Sequence, residues 1–267
     1  MLPPPSFDFR MGRRTIFLVR HGDRYDYANR PAWTSSCSRL GLEQSDPPLS
    51  ALGHQQAREA AAALAGERLD AILCSPYIRT VQTAQPLAHA TSLPICVEQA
   101  LAEFGHTPTV IVPAAARVPY IPEVDDGYLS LLKAYTVDET GSEPKQEYFR
   151  RILLLARELS GPNFRERRVA LFSHAASVAL VAALTKTPSL EAAGLFAPCG
   201  IYELVAEEVS MGPLTWSLVR SGDDNSGHIS RNEPTTYPWG FKHVREGLAK
   251  FEAMWQEALR LGPTASH

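Results

Sequence analysis

Residues 15–24 read TIFLVRHGDR. A run of apolar β-formers, Thr15 to Val19, stops abruptly at Arg20-His21-Gly22, which describes a buried strand delivering two ionisable side chains into a loop. DAILC (70–74) and VALF (169–172) have the same form. None of the three alternates apolar with polar residues, so they read as strands of a parallel sheet covered on both faces. IYELVA (201–206) and LTWSLV (214–219) add two strands, read as a hairpin across Met211-Gly212-Pro213.

Helical stretches separate these strands. Ser50 is an N-cap for an Ala-rich helix running to about Ala65. A second helix spans 78–90, with Pro86 expected to end or kink it. Glu147 to Leu159 carries apolar residues at helical spacing and stops before Gly161-Pro162, and Ala175 to Thr185 is apolar enough for a buried helix. Phe241 to Leu259 places Phe241, Val244, Leu248, Phe251, Trp255 and Leu259 on one stripe, read as core. The alternation predicts a three-layer α/β/α sandwich on a mostly parallel central sheet. It reads as a loose tail over 1–13 and one domain over 14–267, with irregular insertions near 25–48 and 104–127 as candidate lids.

Composition narrows the function classes. The chain has 267 residues, 45% hydrophobic and 21% charged, which is ordinary globular usage and argues against a disordered chain. A net charge of -3 argues against a general nucleic-acid or membrane-surface binder. No apolar run approaches the ~20 residues needed to span a bilayer, and the N-terminal MLPPPSFDFRMGRR has no apolar signal core, so the expected location is the cytoplasm. Cys37, Cys74, Cys96 and Cys199 are too far apart for a zinc knuckle or a redox pair. GxSxG, GxxxxGK[ST] and HExxH are absent, and Asp223-Asp224-Asn225-Ser226-Gly227 lacks calcium-loop spacing and reads as a turn. Those absences remove the commonest serine-hydrolase, P-loop and zinc-protease readings, and no cofactor is expected.

In an open α/β sheet, ligands bind beyond the carboxyl ends of the strands. Three strands here end in Arg20-His21-Gly22-Asp23-Arg24, Ser75-Pro76-Tyr77-Ile78-Arg79 and Ser173-His174-Ala175. Two histidines and three arginines can therefore meet at one sheet edge. Phosphoryl transfer depends on positioning and positive charge. Arg supplies paired donors, and a neutral imidazole can attack phosphorus and hold it covalently.

In order and spacing, LVRHG (18–22), LSALGHQQA (49–57), CSPYIRTVQTA (74–84) and SHA (173–175) resemble the histidine phosphatase superfamily, also called phosphoglycerate-mutase-like, over roughly residues 14–220. That resemblance implies a phosphohistidine on His21, a phosphate pocket of Arg20, Arg79 and His174, and no metal. RHGDRYD, Trp33 and Leu101-Ala102-Glu103-Phe104 resemble the branch of the suppressors of T-cell receptor signalling and the insect ecdysteroid-phosphate phosphatases. By that comparison Arg24 is a fourth phosphate ligand and Glu103 the general acid. Asp23 departs from that branch's Glu, and Phe104 stands where it often has Trp.

The expected activity is metal-independent hydrolysis of a phosphomonoester, with a phosphorylated small molecule or phosphoprotein as partner. Tyr25, Tyr27, Trp33 and the 104–127 segment are candidates for recognising an aromatic or hydrophobic leaving group, phosphotyrosine or a steroid phosphate among them. Asp23 and Glu43 are alternative acids, His106 an alternative pocket residue and His54 a helix-surface residue. The alternatives are a phosphoglycerate mutase, a sugar-bisphosphate phosphatase, or a scaffold of the same fold with little turnover. A homodimer enters by the resemblance only.

Overall fold

The computed structural model describes residues 12–105, 121–132, 143–207, 214–233, 239–244 and 246–262. Residues 1–11 of the expected tail, 106–120 of the second insertion with His106, and the Met211-Gly212-Pro213 turn lie outside them. Six strands form one sheet: β1 (Arg13–Arg20), β2 (Ala71–Cys74), β3 (Ile95–Val97), β4 (Arg168–Ser173), β5 (Ile201–Glu207) and β6 (Trp216–Arg220), in the order β3-β2-β4-β1-β5-β6. The pairs β2–β3, β2–β4 and β1–β4 are parallel, and β5 is antiparallel to both β1 and β6. Only β5 is reversed, and the expected hairpin strands are adjacent.

Successive strand residues feed opposite faces of the sheet. Ile16, Leu18, Leu73, Val169 and Leu171 pack beneath α4 (Lys145–Ser160), α5 (Val178–Thr185) and α6 (Leu248–Leu261). Phe17, Val19, Ile72, Cys74, Ala170 and Phe172 pack beneath α2 (Ala51–Leu64) and α3 (Ile78–Thr91). This is the expected α/β/α sandwich, and two covered faces are why the strands carry no polar alternation. No helix among the described residues is long and apolar enough to cross a membrane.

Several elements differ from their sequence reading. Part of the first insertion is helical: α1 (Tyr25–Ser36) continues into a 3-10 turn at Cys37–Leu40. Asn29, at φ −126° and ψ 34°, interrupts the helix, and Pro31 follows within it, which hides its periodicity. Pro86 does not end α3, which runs on to Thr91. An internal proline costs about 3 kcal/mol, and burying a leucine returns roughly 1.5–3 kcal/mol. Leu87 and Ala88, just beyond Pro86, are both in the core and favour continuation.

The expected helix from Ala175 begins as a 3-10 turn (Ala175–Ser177), and α5 proper starts at Val178. Phe241–His243 is a separate 3-10 turn, divided from α6 by Gly247 at φ 82°. That break changes the phase of the stripe: Phe251, Trp255 and Ala258 are buried, whereas Leu259 is 41% exposed. Strand β3, only three residues long, had no counterpart in the sequence reading.

Candidate active site

The register of β1 against β4 builds the site. Arg20 pairs with Ser173 across the parallel ladder, so the next residues, His21 and His174, leave the sheet side by side. Their rings meet edge to face with centroids 5.4 Å apart. Arg79 arrives from the first turn of α3 after the Ser75-Pro76-Tyr77 turn that ends β2. The four sequence-predicted residues Arg20, His21, Arg79 and His174 are thus together, each 2% exposed or less.

Hydrogen bonds define the histidine faces. His21 Nδ1 lies 2.8 Å from the Gly22 carbonyl oxygen. A carbonyl only accepts, so Nδ1 carries the proton and Nε2 carries the lone pair. His174 Nε2 is 2.7 Å from Ser75 Oγ. Its Nδ1 lies 3.3 Å from Arg79 NH2 and 3.4 Å from Glu103 Oε2. Burial, then the Arg79 charge, holds the pKa of both histidines well below the ordinary value of 6.5. Burial also lowers Arg20 and Arg79, but a guanidinium remains charged near neutrality.

Arg79 is held by residues that sequence reading missed. Its guanidinium lies 4.2 Å from the Tyr77 ring centre, and NH1 is 3.6 Å from Asp46 Oδ1. Asp46 Oδ1 also accepts from Ile78 N at 2.8 Å, which caps the start of α3. Arg24 makes a bidentate pair with Asp26, at 3.0 and 2.9 Å, and its charge lies over the Tyr27 ring at 4.9 Å.

The LSALGHQQA stretch is the platform for this loop. Ser50 Oγ caps α2 by accepting from Gly53 N and donates to Asp23 Oδ2 at 2.6 Å. Gln56 Oε1 accepts from Asp23 N at 2.8 Å. Gly53 lies so near that a Cβ there would sit 2.1 Å from the Asp23 carbonyl oxygen. Asp23 is therefore tied to α2, and His54 lies half-buried on that helix.

A cavity of about 160 Å³ opens on His21, lined by Arg20, Arg24, Glu103, Tyr27, Phe104, Phe241 and Val244 among others. Of the leaving-group candidates among the described residues, Tyr27 and Phe104, the first residue of the 104–127 segment, line it. Trp33 is 1% exposed and, with Glu43, borders a neighbouring cavity that shares Arg24. Tyr25 packs edge-on to Trp33. Gly240, Phe241 and Val244 supply an unforeseen wall from the C-terminal segment. All four cysteines are free, and Asn225, from the expected turn, is buried and donates to the Pro198 carbonyl at 2.5 Å.

His21, Glu103 and His174 bring potential ligand atoms within 4.8 Å of one another. That spacing suits a metal ion. The nearby guanidinium charges instead favour an anion.

The model of the histidine phosphatase superfamily (branch 1) matches residues 16–218. The mouse ubiquitin-associated and SH3 domain-containing protein A is 33% identical over 107 residues, 31% of this chain and 17% of that protein. The 55 kDa subunit of transcription factor tau from Saccharomyces cerevisiae is 29% identical over 109 residues, 39% of this chain and 24% of that protein. The chain thus spans less than a quarter of the length of these curated relatives. Among solved structures, the ecdysone phosphate phosphatase from Bombix mori, in complex with tungstate, superposes with a TM-score of 0.59 at 21% identity. It covers 83% of this chain and 96% of its own. At that identity the likeness concerns the fold.

Proposed function

The chain belongs to the histidine phosphatase superfamily, branch 1, and from that premise we propose that it hydrolyses a phosphomonoester through a phosphohistidine on His21. The observation that carries this reading is the His21 tautomer. With its proton bound to the Gly22 carbonyl, the ring presents an unprotonated Nε2 in a pocket lined by Arg20 and Arg24.

In the first step Nε2 forms a bond to phosphorus while the ester P–O bond breaks, and protonated Glu103 gives its proton to the departing alkoxide. Arg20, Arg24 and Arg79 hold the phosphoryl oxygens. Burial and the Arg79 charge keep His174 neutral; a bound dianion offsets that charge, so Nδ1 of His174 takes up a proton from solvent and donates to the same oxygens. In the second step water attacks phosphorus, the P–N bond breaks, and the water proton passes to the Glu103 carboxylate. Tyr27, Phe104, Phe241 and Val244 face the leaving group. An engineered cavity near 150 Å³ admits benzene, so about 160 Å³ fits a one-ring aryl phosphate such as phosphotyrosine better than an enclosed steroid. No step requires a metal ion.

His21→Ala is expected to abolish turnover of a generic aryl phosphate, and labelled phosphate is expected to be trapped on His21 of the unmodified protein after acid-free quenching. Substantial activity in His21→Ala, or activity that disappears with chelator, sinks the mechanism. The similarity to a transcription factor subunit favours one second reading, a binding module of the same fold. Failure to trap phosphate with any aryl, steroid or sugar phosphate selects it.

A further inference from the structure

Glu103 lies on an irregular stretch after β3, outside any helix or strand, with its Oε1 accepting from Phe104 N at 2.9 Å. Three consecutive carbonyls just before it are nevertheless held by side chains. Arg151, from α4, donates from NH1 to the Ala100 carbonyl at 2.6 Å and to the Ala102 carbonyl at 3.1 Å. Ser173 Oγ donates to the intervening Leu101 carbonyl at 2.9 Å. The rest of the Arg151 fork makes a bidentate pair with Glu143, Nε to Oε1 at 2.6 Å and NH2 to Oε2 at 2.7 Å. These two side chains are 5% and 1% exposed. The guanidinium carbon also lies 4.9 Å from the Tyr148 ring centre, and Tyr148 packs edge to face on Phe104.

Glu98 braces the same turn from its other side. It accepts from Ala100 N at 2.9 Å, Ser130 Oγ at 2.5 Å, Leu131 N at 2.7 Å and Tyr128 OH at 3.0 Å.

We propose that Arg151, oriented by Glu143, is a positioning residue for the Glu103 carboxyl group, setting its approach to the leaving oxygen. The inference rests on the acid role given to Glu103 above. A buried ion pair is weak evidence for stability, because desolvation offsets its attraction. Here its geometry has a second consequence: one rigid fork binds a carboxylate on one side and two backbone carbonyls on the other. The second of those carbonyls belongs to the residue that precedes Glu103. Lysine retains the charge but lacks the planar fork, so Arg151→Lys tests the geometry.

The experiment compares kcat/KM for two substrates, which reports the step in which the ester bond breaks. An alkyl phosphate needs its leaving oxygen protonated, whereas 2,4-dinitrophenyl phosphate does not. Glu103→Gln should slow the alkyl ester roughly 100-fold or more and the dinitrophenyl ester much less. Arg151→Lys should reproduce that split, with a loss of roughly 10- to 100-fold on the alkyl ester. Ser173→Ala, which releases the middle carbonyl without leaving a buried carboxylate unpaired, should split the substrates in the same direction, and it serves as the readout if Arg151→Lys does not fold. Equal losses on both esters in the folded variants, with the Glu103→Gln split intact, overturn the positioning role alone. Absence of the split in Glu103→Gln removes the acid assignment and this inference with it.

Discussion

Asp46 Oδ1 lies 3.6 Å from Arg79 NH1, and both side chains are 2% exposed. The carboxylate comes from the end of the first insertion and the guanidinium from α3, so the segment read as a lid supplies the counter-charge of a guanidinium in the proposed phosphate pocket. Asp46 also caps Ile78 N. The two roles separate by substitution. Asp46→Asn keeps an oxygen for the cap but removes the charge, and is expected to weaken inhibition by inorganic phosphate and to lower the melting temperature, because Arg79 stays buried without its carboxylate. Asp46→Ala also loses the cap and should destabilise by about 1 kcal/mol more. Unchanged phosphate inhibition in both variants excludes Asp46 as the anchor of Arg79.

The depressed histidines give stability a defined pH dependence. In the unfolded chain His21 and His174 take up protons near 6.5, whereas the native state, through burial and the Arg79 charge, refuses them to well below that value. The unfolded state therefore binds more protons as pH falls, and stability drops. The contribution is complete above about 6.5 and is lost progressively below it. His54 and His228 are shifted in the same direction. The melting temperature is expected to fall from pH 7 to pH 5.5, with a shallower slope in a folded His21→Leu variant. A histidine ring titration by NMR should show His21 and His174 still neutral at pH 6.5. Protonation of either ring at its ordinary value contradicts the assignment.

What was readable in the sequence follows from where the information lies. Arg20, His21 and His174 were readable because abrupt apolar runs mark where β1 and β4 end, and a parallel ladder aligns those ends. Arg79 was readable because it closely follows the third such run. Glu103 entered through family resemblance, since β3 is three residues long and too short to show a period. Asp46, Gln56 and Ser75 were not identified because their roles exist only through tertiary partners: Arg79, the Asp23 backbone and His174. The misplacement of Leu259 has a local cause, the change of helical phase at Gly247.

Gly53 shows the same dependence on tertiary context. Its backbone φ is unremarkable, but the space beside its Cα is filled by the Asp23 carbonyl, 2.1 Å from where a Cβ would lie. The obstacle is backbone on both sides, so a rotamer change gives no relief. Gly53→Ala is expected to destabilise by about 1–3 kcal/mol or more, a fall of roughly 2–4 °C per kcal/mol in melting temperature. It should also reduce kcat by displacing the loop that carries His21. A variant with unchanged melting and turnover refutes the close packing of α2 on this loop.

Val244 tests the leaving-group wall. It lies beyond the 16–218 stretch that matches the family, and it lines the His21 cavity with Phe241 and Phe104. Phe241 is 2% exposed and packs on Phe104, Phe149 and Phe251, so replacing it confuses folding with recognition. Val244 is only partly buried, which makes it the cleaner probe. Val244→Asp places a carboxylate where an apolar leaving group would rest and adds negative charge to an anion pocket. Val244→Thr nearly conserves shape and adds only a hydroxyl. If the wall recognises the leaving group, Val244→Thr raises KM for an aryl phosphate severalfold but leaves inhibition by inorganic phosphate almost unchanged, because phosphate never reaches the wall. Val244→Asp should weaken both, with the aryl ester more affected. Equal KM values for aryl and alkyl phosphates in the unmodified protein, unaltered by Val244→Thr, show that the wall makes no contact with the leaving group.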